Sequence, residues 1–536
     1  MEDFSAAETN QLLQAASDFA SYPGVLNEAA VKEFLDRFPL PIIINALQTK
    51  VAVPGLENAL VTCLERIFRT KYGSSLIPQS MPFLQVGLQA DSEAVRCLAC
   101  KIVSFLLENL NDISVNPSQL IVAYDIYPLL LRCLVNGDER LATASMDAVK
   151  NFAFSPEGIA TIFPAESSEA TDLRHMAAKC SSLGRVRILS LIVKLFSVSR
   201  AVAEKISNSN LLGLIEGEAR KTDDTLATLN VLELLFEMAE SDHAAEYMPK
   251  TSLLQILGGI ISNASSDSIL RSRAMMISGR MLCRENIFMF IDETSVLAIL
   301  SAILGRLRSP ETIDDSECES AIEAIGQIGS STSGAEFLLL RSHEAVRFLG
   351  DAAFDRQRGG KQLGYCLLGF VKNIKAALDA LGNIVGANRS ENSILLKGEA
   401  EEILQRLIYE IASKSPKLTP SGLFLSVLQQ DTEMRLAGYR LISGLVARPW
   451  CLMEVCSRQE IISKVTDAYM ETSKIAMEAR FNCCFSIHKA LAATNPKNDS
   501  ALAGISEKLQ EAVKLGPFLA KKNRDAQPTI TTDQRF

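Results

Sequence analysis

Asp224-Thr-Leu-Ala-Thr-Leu-Asn-Val-Leu232 is followed 43 residues later by Asp267-Ser-Ile-Leu-Arg-Ser-Arg-Ala-Met275, and the two decide the fold. Each reads as an aspartate opening an apolar helix. The phrase recurs as Asp91-Ser-Glu-Ala-Val-Arg-Cys-Leu-Ala-Cys, Asp138-Glu-Arg-Leu-Ala-Thr-Ala-Ser-Met, Asp314-Asp-Ser-Glu-Cys-Glu-Ser-Ala-Ile and Asp431-Thr-Glu-Met-Arg-Leu-Ala-Gly-Tyr. Successive intervals are 47 residues from Asp91 to Asp138, 86 to Asp224, 43 to Asp267 and 47 to Asp314. Self-similarity at roughly 40 to 47 residues is the signature of armadillo and HEAT repeats. The expected fold is an all-α, armadillo/HEAT-like right-handed α-solenoid, with binding rather than chemistry as its expected work.

Ser182-Leu-Gly-Arg-Val-Arg-Ile-Leu-Ser-Leu-Ile-Val supplies the unit missing from the 86-residue interval, without an aspartate. The 117 residues from Asp314 to Asp431 fit no whole number of units. Aligning Ala324-Ile-Gly-Gln-Ile-Gly with Ala380-Leu-Gly-Asn-Ile-Val places one more repeat there, with surplus residues expected between Gly350 and Val371. The expected organisation is one solenoid over 1–520 and a polar, disordered tail over 521–536.

Within a repeat, the aspartate accepts hydrogen bonds from free N–H groups at the helix start and favours the positive end of the dipole. In the Asp224 unit, Leu226, Leu229, Val231, Leu232, Leu234 and Leu235 then form a broad apolar face that neighbours must cover. A later helix follows, such as Ile126-Tyr-Pro-Leu-Leu-Leu-Arg-Cys-Leu, with Pro128 in the first turn where a proline is tolerated. In armadillo proteins the last helix of each repeat lines the concave face. Its polar residues Arg132, Glu216, Glu218, Arg306, Arg308 and Arg347 are therefore the candidate partner contacts, against the reading of each as an ordinary solvated side chain.

Composition narrows the function. Apolar residues are 48% of 536, ample for a continuous core, and 54 basic against 63 acidic residues give a net charge of −9. A nucleic-acid binder would show a basic face, so basic or amphipathic partners fit better. Cysteines such as Cys63, Cys133, Cys283 and Cys366 sit within apolar helical stretches, as small hydrophobes in a reducing compartment do. Met1-Glu-Asp-Phe-Ser lacks the basic and apolar regions of a signal peptide, and no apolar run reaches the ~20 residues of a membrane span. Cytoplasm is the expected location, with the nucleus as a second compartment. The sequons at Asn263, Asn388 and Asn498 are read as chance.

Signals for chemistry are weak. Gly359-Gly-Lys-Gln lacks the spacing and hydroxyl of a phosphate loop, and four scattered histidines form no protease motif. Cys97-Leu-Ala-Cys100 has the spacing of a metal or redox pair but no second pair, and Cys483-Cys484 reads likewise as core. No cofactor, no metal and no catalytic residue is expected. Trp450, the single tryptophan, cannot supply the Trp ladder of importin-alpha, and no U-box-like segment precedes the repeats.

Several stretches resemble the 26S proteasome non-ATPase regulatory subunit 5 family. They are Leu423 to Trp450, with a Pro449-Trp450 pair that ends a helix; Glu323-Ala-Ile-Gly-Gln-Ile-Gly-Ser330 with Gly334 and Leu338 to Leu340; and Leu515-Gly-Pro-Phe518. The resemblance is collinear from Leu60 to Lys521, and Gly364 to Lys375 departs from it as an insertion. It implies a non-catalytic assembly chaperone of the proteasome regulatory particle base. Such a chaperone binds the C-terminal domain of one AAA ATPase subunit, escorts it with a large non-ATPase scaffold subunit, and leaves before the complex matures. No nucleic acid or membrane partner is implied, and the chain is expected to be a monomer before binding. The repeats alone equally allow a generic armadillo scaffold or transport adaptor. Trp450 is read as a helix-end anchor in preference to a partner hot spot.

Overall fold

The computed structural model describes residues 6–24, 27–49, 53–108, 116–164, 171–221, 224–308, 313–354, 367–494 and 500–518. The expected disordered tail at 521–536 lies outside these residues, as does most of the expected insertion, at 355–366. The described residues contain helices and no strand. They fall into two compact units, 1–252 and 253–536.

In both units the helices come as triplets: a long first helix, a short middle one and a third helix that leads to the next capping residue. In the first unit the long helices are Leu56–Phe68, Glu93–Glu108, Glu139–Phe152, Ser182–Phe196 and Thr225–Glu240, each packed on the next or nearly so. In the second they are Ser268–Leu282, Asp315–Ile328, Leu367–Ile384, Thr432–Leu445 and Lys474–Ala493, stacked in that order. This is the all-α, armadillo/HEAT-like arrangement that the period implied.

The start of each long helix follows from its capping residue. Asp138 accepts from Leu141 N, Asp224 from Leu226 N and Ala227 N, Asp267 from Ile269 N, Asp314 from Glu317 N, and Asp431 from Glu433 N and Met434 N. In the unit without an aspartate, Ser181 accepts from Gly184 N and does the same work. Asp91 does not cap. The Ser92 hydroxyl accepts from Val95 N at 3.4 Å instead, one residue later than the phrase suggested.

The buried faces are continuous. Val231, Leu232 and Leu235 are 4% exposed or less, whereas Leu226, in the first turn, is 70% exposed and sits off the core. Each fully buried Leu or Ile contributes roughly 1.5–3 kcal/mol against its exposed state. Pro128 lies in the first turn of Ile126–Asn136, as its missing N–H requires. Where long helices cross, small residues let backbones approach. A Cβ at Gly279 would lie 2.9 Å from Ala324 Cα, and one at Gly326 would lie 2.7 Å from Ala380 Cα.

The extra repeat after Asp314 is real: Leu367–Ile384 packs between Asp315–Ile328 and Thr432–Leu445. Part of the surplus lies elsewhere than expected, in an enlarged middle helix, Glu399–Lys414, of 16 residues against 10 in Thr332–Arg341. Pro449 opens the helix Pro449–Cys456 and does not end one, because proline's fixed φ and absent donor suit a first position. Trp450 is half-buried and packs on Tyr409, ring centroids 5.7 Å apart. Among the described residues no single helix is long and apolar enough to cross a membrane.

Candidate partner-binding site

All six residues singled out from the sequence lie on third helices or at their ends: Arg132 on Ile126–Asn136, Glu216 and Glu218 on Leu212–Ala219, Arg306 and Arg308 at the end of Glu293–Leu307, and Arg347 on His343–Phe354. Most of their charge is directed at the protein itself. Glu216 Oε1 accepts from Ser252 N at 2.8 Å, and Glu218 pairs with Arg185 at 3.2 Å and Lys221 at 2.7 Å. Arg308 pairs with Glu344, and Arg347 with Glu410 at 3.0 Å. Arg306 is 7% exposed, and its guanidinium is aimed at Glu317. Arg132 is exposed. The structure brings together Arg308, Glu344, Arg347, Glu410 and Lys414 as a row of ion pairs and leaves Arg132 apart from Glu216 and Glu218 on another repeat.

A more concentrated feature lies on the long helices of the second unit. Asp315–Ile328, Leu367–Ile384 and Thr432–Leu445 enclose a groove of about 840 Å³ lined, among the described residues, by Glu319, Glu323, Asp379, Asp431 and Glu433, with one lysine, Lys375. Lys375 Nζ lies 3.2 Å from Glu433, and Arg440 holds Asp379 at 3.1 Å. Partial burial, then the neighbouring charges of Glu319 and Asp379, push the Glu323 carboxyl above its ordinary value. An acid so placed gains when a cation arrives, so the groove suits a basic partner surface. Among the described residues no histidine, cysteine or serine lines it.

Most of the described cysteines are held as protonated thiols. Cys100 donates to Cys133, whose own thiol donates to Leu88 O at 3.6 Å; this bond and then burial raise the Cys100 pKa, and the same bond lowers that of Cys133. Burial pushes Cys63 up to about 12, and Cys456 and Cys484 to about 11. Thiols held this far above neutrality are poor nucleophiles and poor ligands. Among the described residues the cysteines are free, and no group of three His, Cys, Asp or Glu is placed to hold a metal.

Residues 170–532 match the family described as proteasome non-ATPase 26S subunit. The chain belongs to that family. It is 20% identical over 477 residues to the 26S proteasome non-ATPase regulatory subunit 5 of Bos taurus, covering 86% of this chain and 85% of the relative. The Homo sapiens protein of the same name is 19% identical over the same coverage. Solved structures that resemble it include one from a study of a phosphorylation switch between cadherin and beta-catenin, at 12% identity and TM-score 0.36 over 96% of this chain and 97% of that one. Another is a computationally designed armadillo repeat protein for modular peptide recognition, at 14% identity and TM-score 0.31 over 44% and 94%.

This proteasome-subunit relative also carries a repeated device that the sequence reading passed over. Four residues after the cap, an arginine reaches back to carbonyls of the preceding turn and sideways to a carboxylate. Arg96 bonds Ala90 O at 2.9 Å and Glu93; Arg185 bonds Ala177 O at 3.0 Å and Glu218; Arg435 bonds Gln430 O at 2.7 Å and Glu471. Arg271 bonds Ser266 O and Glu317. The signal was present as a capping Ser or Asp, three residues, then Arg, at Ser92, Ser181, Asp267 and Asp431. It was legible only once the cap, rather than the aspartate, set the register.

Proposed function

We propose that the chain is a non-catalytic chaperone for assembly of the proteasome regulatory particle base. It binds the C-terminal domain of an AAA ATPase subunit through its repeat surface, accompanies that subunit with a large non-ATPase scaffold subunit, and leaves before the mature complex forms. The observation that carries this reading is the family match over 170–532, on a stack of helices whose long-helix groove gathers five carboxylates. A basic face on a helical domain would be steered there and held by contacts that exchange readily. Release then needs only a competing contact of greater affinity, without a reaction. The cytoplasm, with the nucleus, is where such assembly would take place.

The test is affinity purification of the tagged chain from its own cells, with mass spectrometry of the co-purifying proteins. Recovery of a base ATPase and a large scaffold subunit without the proteolytic core is expected. Recovery of transport cargo in their place would overturn the reading.

A further inference from the structure

The first unit holds a groove of a different kind, outside the residues matched by the family. The helices Leu40–Thr49, Leu56–Phe68, Met81–Gly87 and Glu93–Glu108 enclose an apolar space of about 420 Å³. Its floor is core, since Leu64, Ile77 and Leu98 are 4% exposed or less. Its rim is open: Phe83 and Val86, one turn apart on the same helix, are 42% and 53% exposed. A single exposed apolar side chain is ordinary, but two that extend a concave apolar floor mark a site of contact.

The rim also carries charge of one sign. Glu57 and Asp91 line the groove, and among the described residues no Lys, Arg or His does. Glu57 is fixed by the Ser92 hydroxyl, which donates to Oε1 at 2.7 Å. Asp91 is the single aspartate of the six repeat phrases that does not cap its helix, because Ser92 has taken that role. It is exposed, and the bond that Arg96 makes to it, at 3.4 Å, goes to the main-chain carbonyl and not to the carboxylate. Two carboxylates beside an apolar trough, with the nearby Arg96 directed at the Ala90 and Asp91 carbonyls rather than at either carboxylate, are complementary to a partner that brings both apolar anchors and positive charge.

We propose that this groove is a docking site for a basic amphipathic helix of a partner protein, its apolar residues at i, i+3, i+4 and i+7 entering the trough while Lys or Arg meets Glu57 and Asp91. A second copy of this chain is a poor occupant, because its net charge of −9 brings like sign to the rim. A purely apolar small molecule would leave both carboxylates unanswered.

The probe is a fluorescein-labelled peptide with Leu at those spacings and Lys on the other face, titrated with the full chain by fluorescence anisotropy. A shuffled peptide of the same composition is the control. Saturable binding of the patterned peptide is expected, weakened about tenfold or more by Val86→Asp. That substitution adds negative charge, so a purely electrostatic association would strengthen instead. Asp91→Asn, at an exposed position, should weaken binding about threefold, with a smaller effect as salt rises. Leu226→Asp, at an exposed leucine elsewhere, should leave binding unchanged. Equal binding of the shuffled peptide, no loss with Val86→Asp, equal loss with Leu226→Asp, or a self-association abolished by Val86→Asp would each overturn the proposal. Melting curves accompany every variant, and if Val86→Asp lowers the melting temperature, the Asp91→Asn result decides.

Discussion

Replacing Glu317 by alanine should destabilise the second unit more than any surface charge change. Glu317 is fully buried on Asp315–Ile328 and receives Arg271 Nε at 2.8 Å and Nη2 at 2.9 Å, with Arg306 Nε at 2.8 Å and Nη2 at 3.3 Å. Arg271 and Arg306 are themselves 5% and 7% exposed and come from two other helices. Burial alone would raise the Glu317 pKa, but the hydrogen bonds and charge of the two guanidiniums outweigh it and hold it below the ordinary value. Removing the carboxylate leaves two buried cations without their shared anion, which costs about 3–5 kcal/mol. At ~2–4 °C per kcal/mol for a unit of this size, the melting temperature should fall on the order of 10 °C. Glu344→Ala, which breaks the exposed pair with Arg308, should cost under about 1 kcal/mol. The sign with pH follows from the lowered pKa. The stabilisation is complete above the ordinary carboxyl value of about 4.3 and is lost as pH falls through the folded pKa. Calorimetry of wild type and variant should therefore show a full difference at pH 7 and a shrinking one in acid. A melting temperature lowered at pH 7 by less than the ~2–4 °C that 1 kcal/mol is worth would refute the argument.

Three further outcomes follow from the packing. Gly326→Ala puts a methyl 2.7 Å from Ala380 Cα and should cost about 1–3 kcal/mol, whereas Gly217→Ala, with nothing within 4 Å, should gain up to about 1 kcal/mol in chemical denaturation. Asp267→Ala should cost about 1 kcal/mol, and Ser92→Ala should cost more than Asp91→Ala, reversing the order that the repeat pattern suggests. Glu323→Gln should raise the melting temperature at neutral pH. Because the pKa of Glu323 is raised, its charge opposes folding above that value, so the gain should shrink in acid and in high salt.

The period and the helix starts were legible in the sequence because both are local. A capping aspartate and an apolar face at 3.6-residue spacing act within one helix, and five of six aspartates cap as expected. The partners of long polar side chains were not legible, because they come from other repeats: Arg271 meets Glu317 across 46 residues, and Arg448 meets Glu401 across 47. Hence Arg306, polar at a third-helix end, belongs to the interior. The Pro449-Trp450 pair shows the same limit. Proline marks a helix boundary, but whether a helix begins or ends there depends on Arg448, which is buried at the cap position and bonded to Val385 O, Gly444 O and Glu401.

On the third helices, arginines and carboxylates largely satisfy one another, and exposed pairs of this kind add little net attraction for a partner. The two grooves differ from that surface. One gathers five carboxylates around Lys375, and the other sets Glu57 and Asp91 beside an apolar trough with no cation among the described residues of its lining. An acidic concavity raises encounter rate and discriminates by charge more than it deepens affinity. On the proposed reading this suits a protein that must capture a subunit early and surrender it later, since contacts of that kind are formed quickly and displaced by a better-fitting neighbour. A chaperone held by a large apolar interface would instead have to be removed by work.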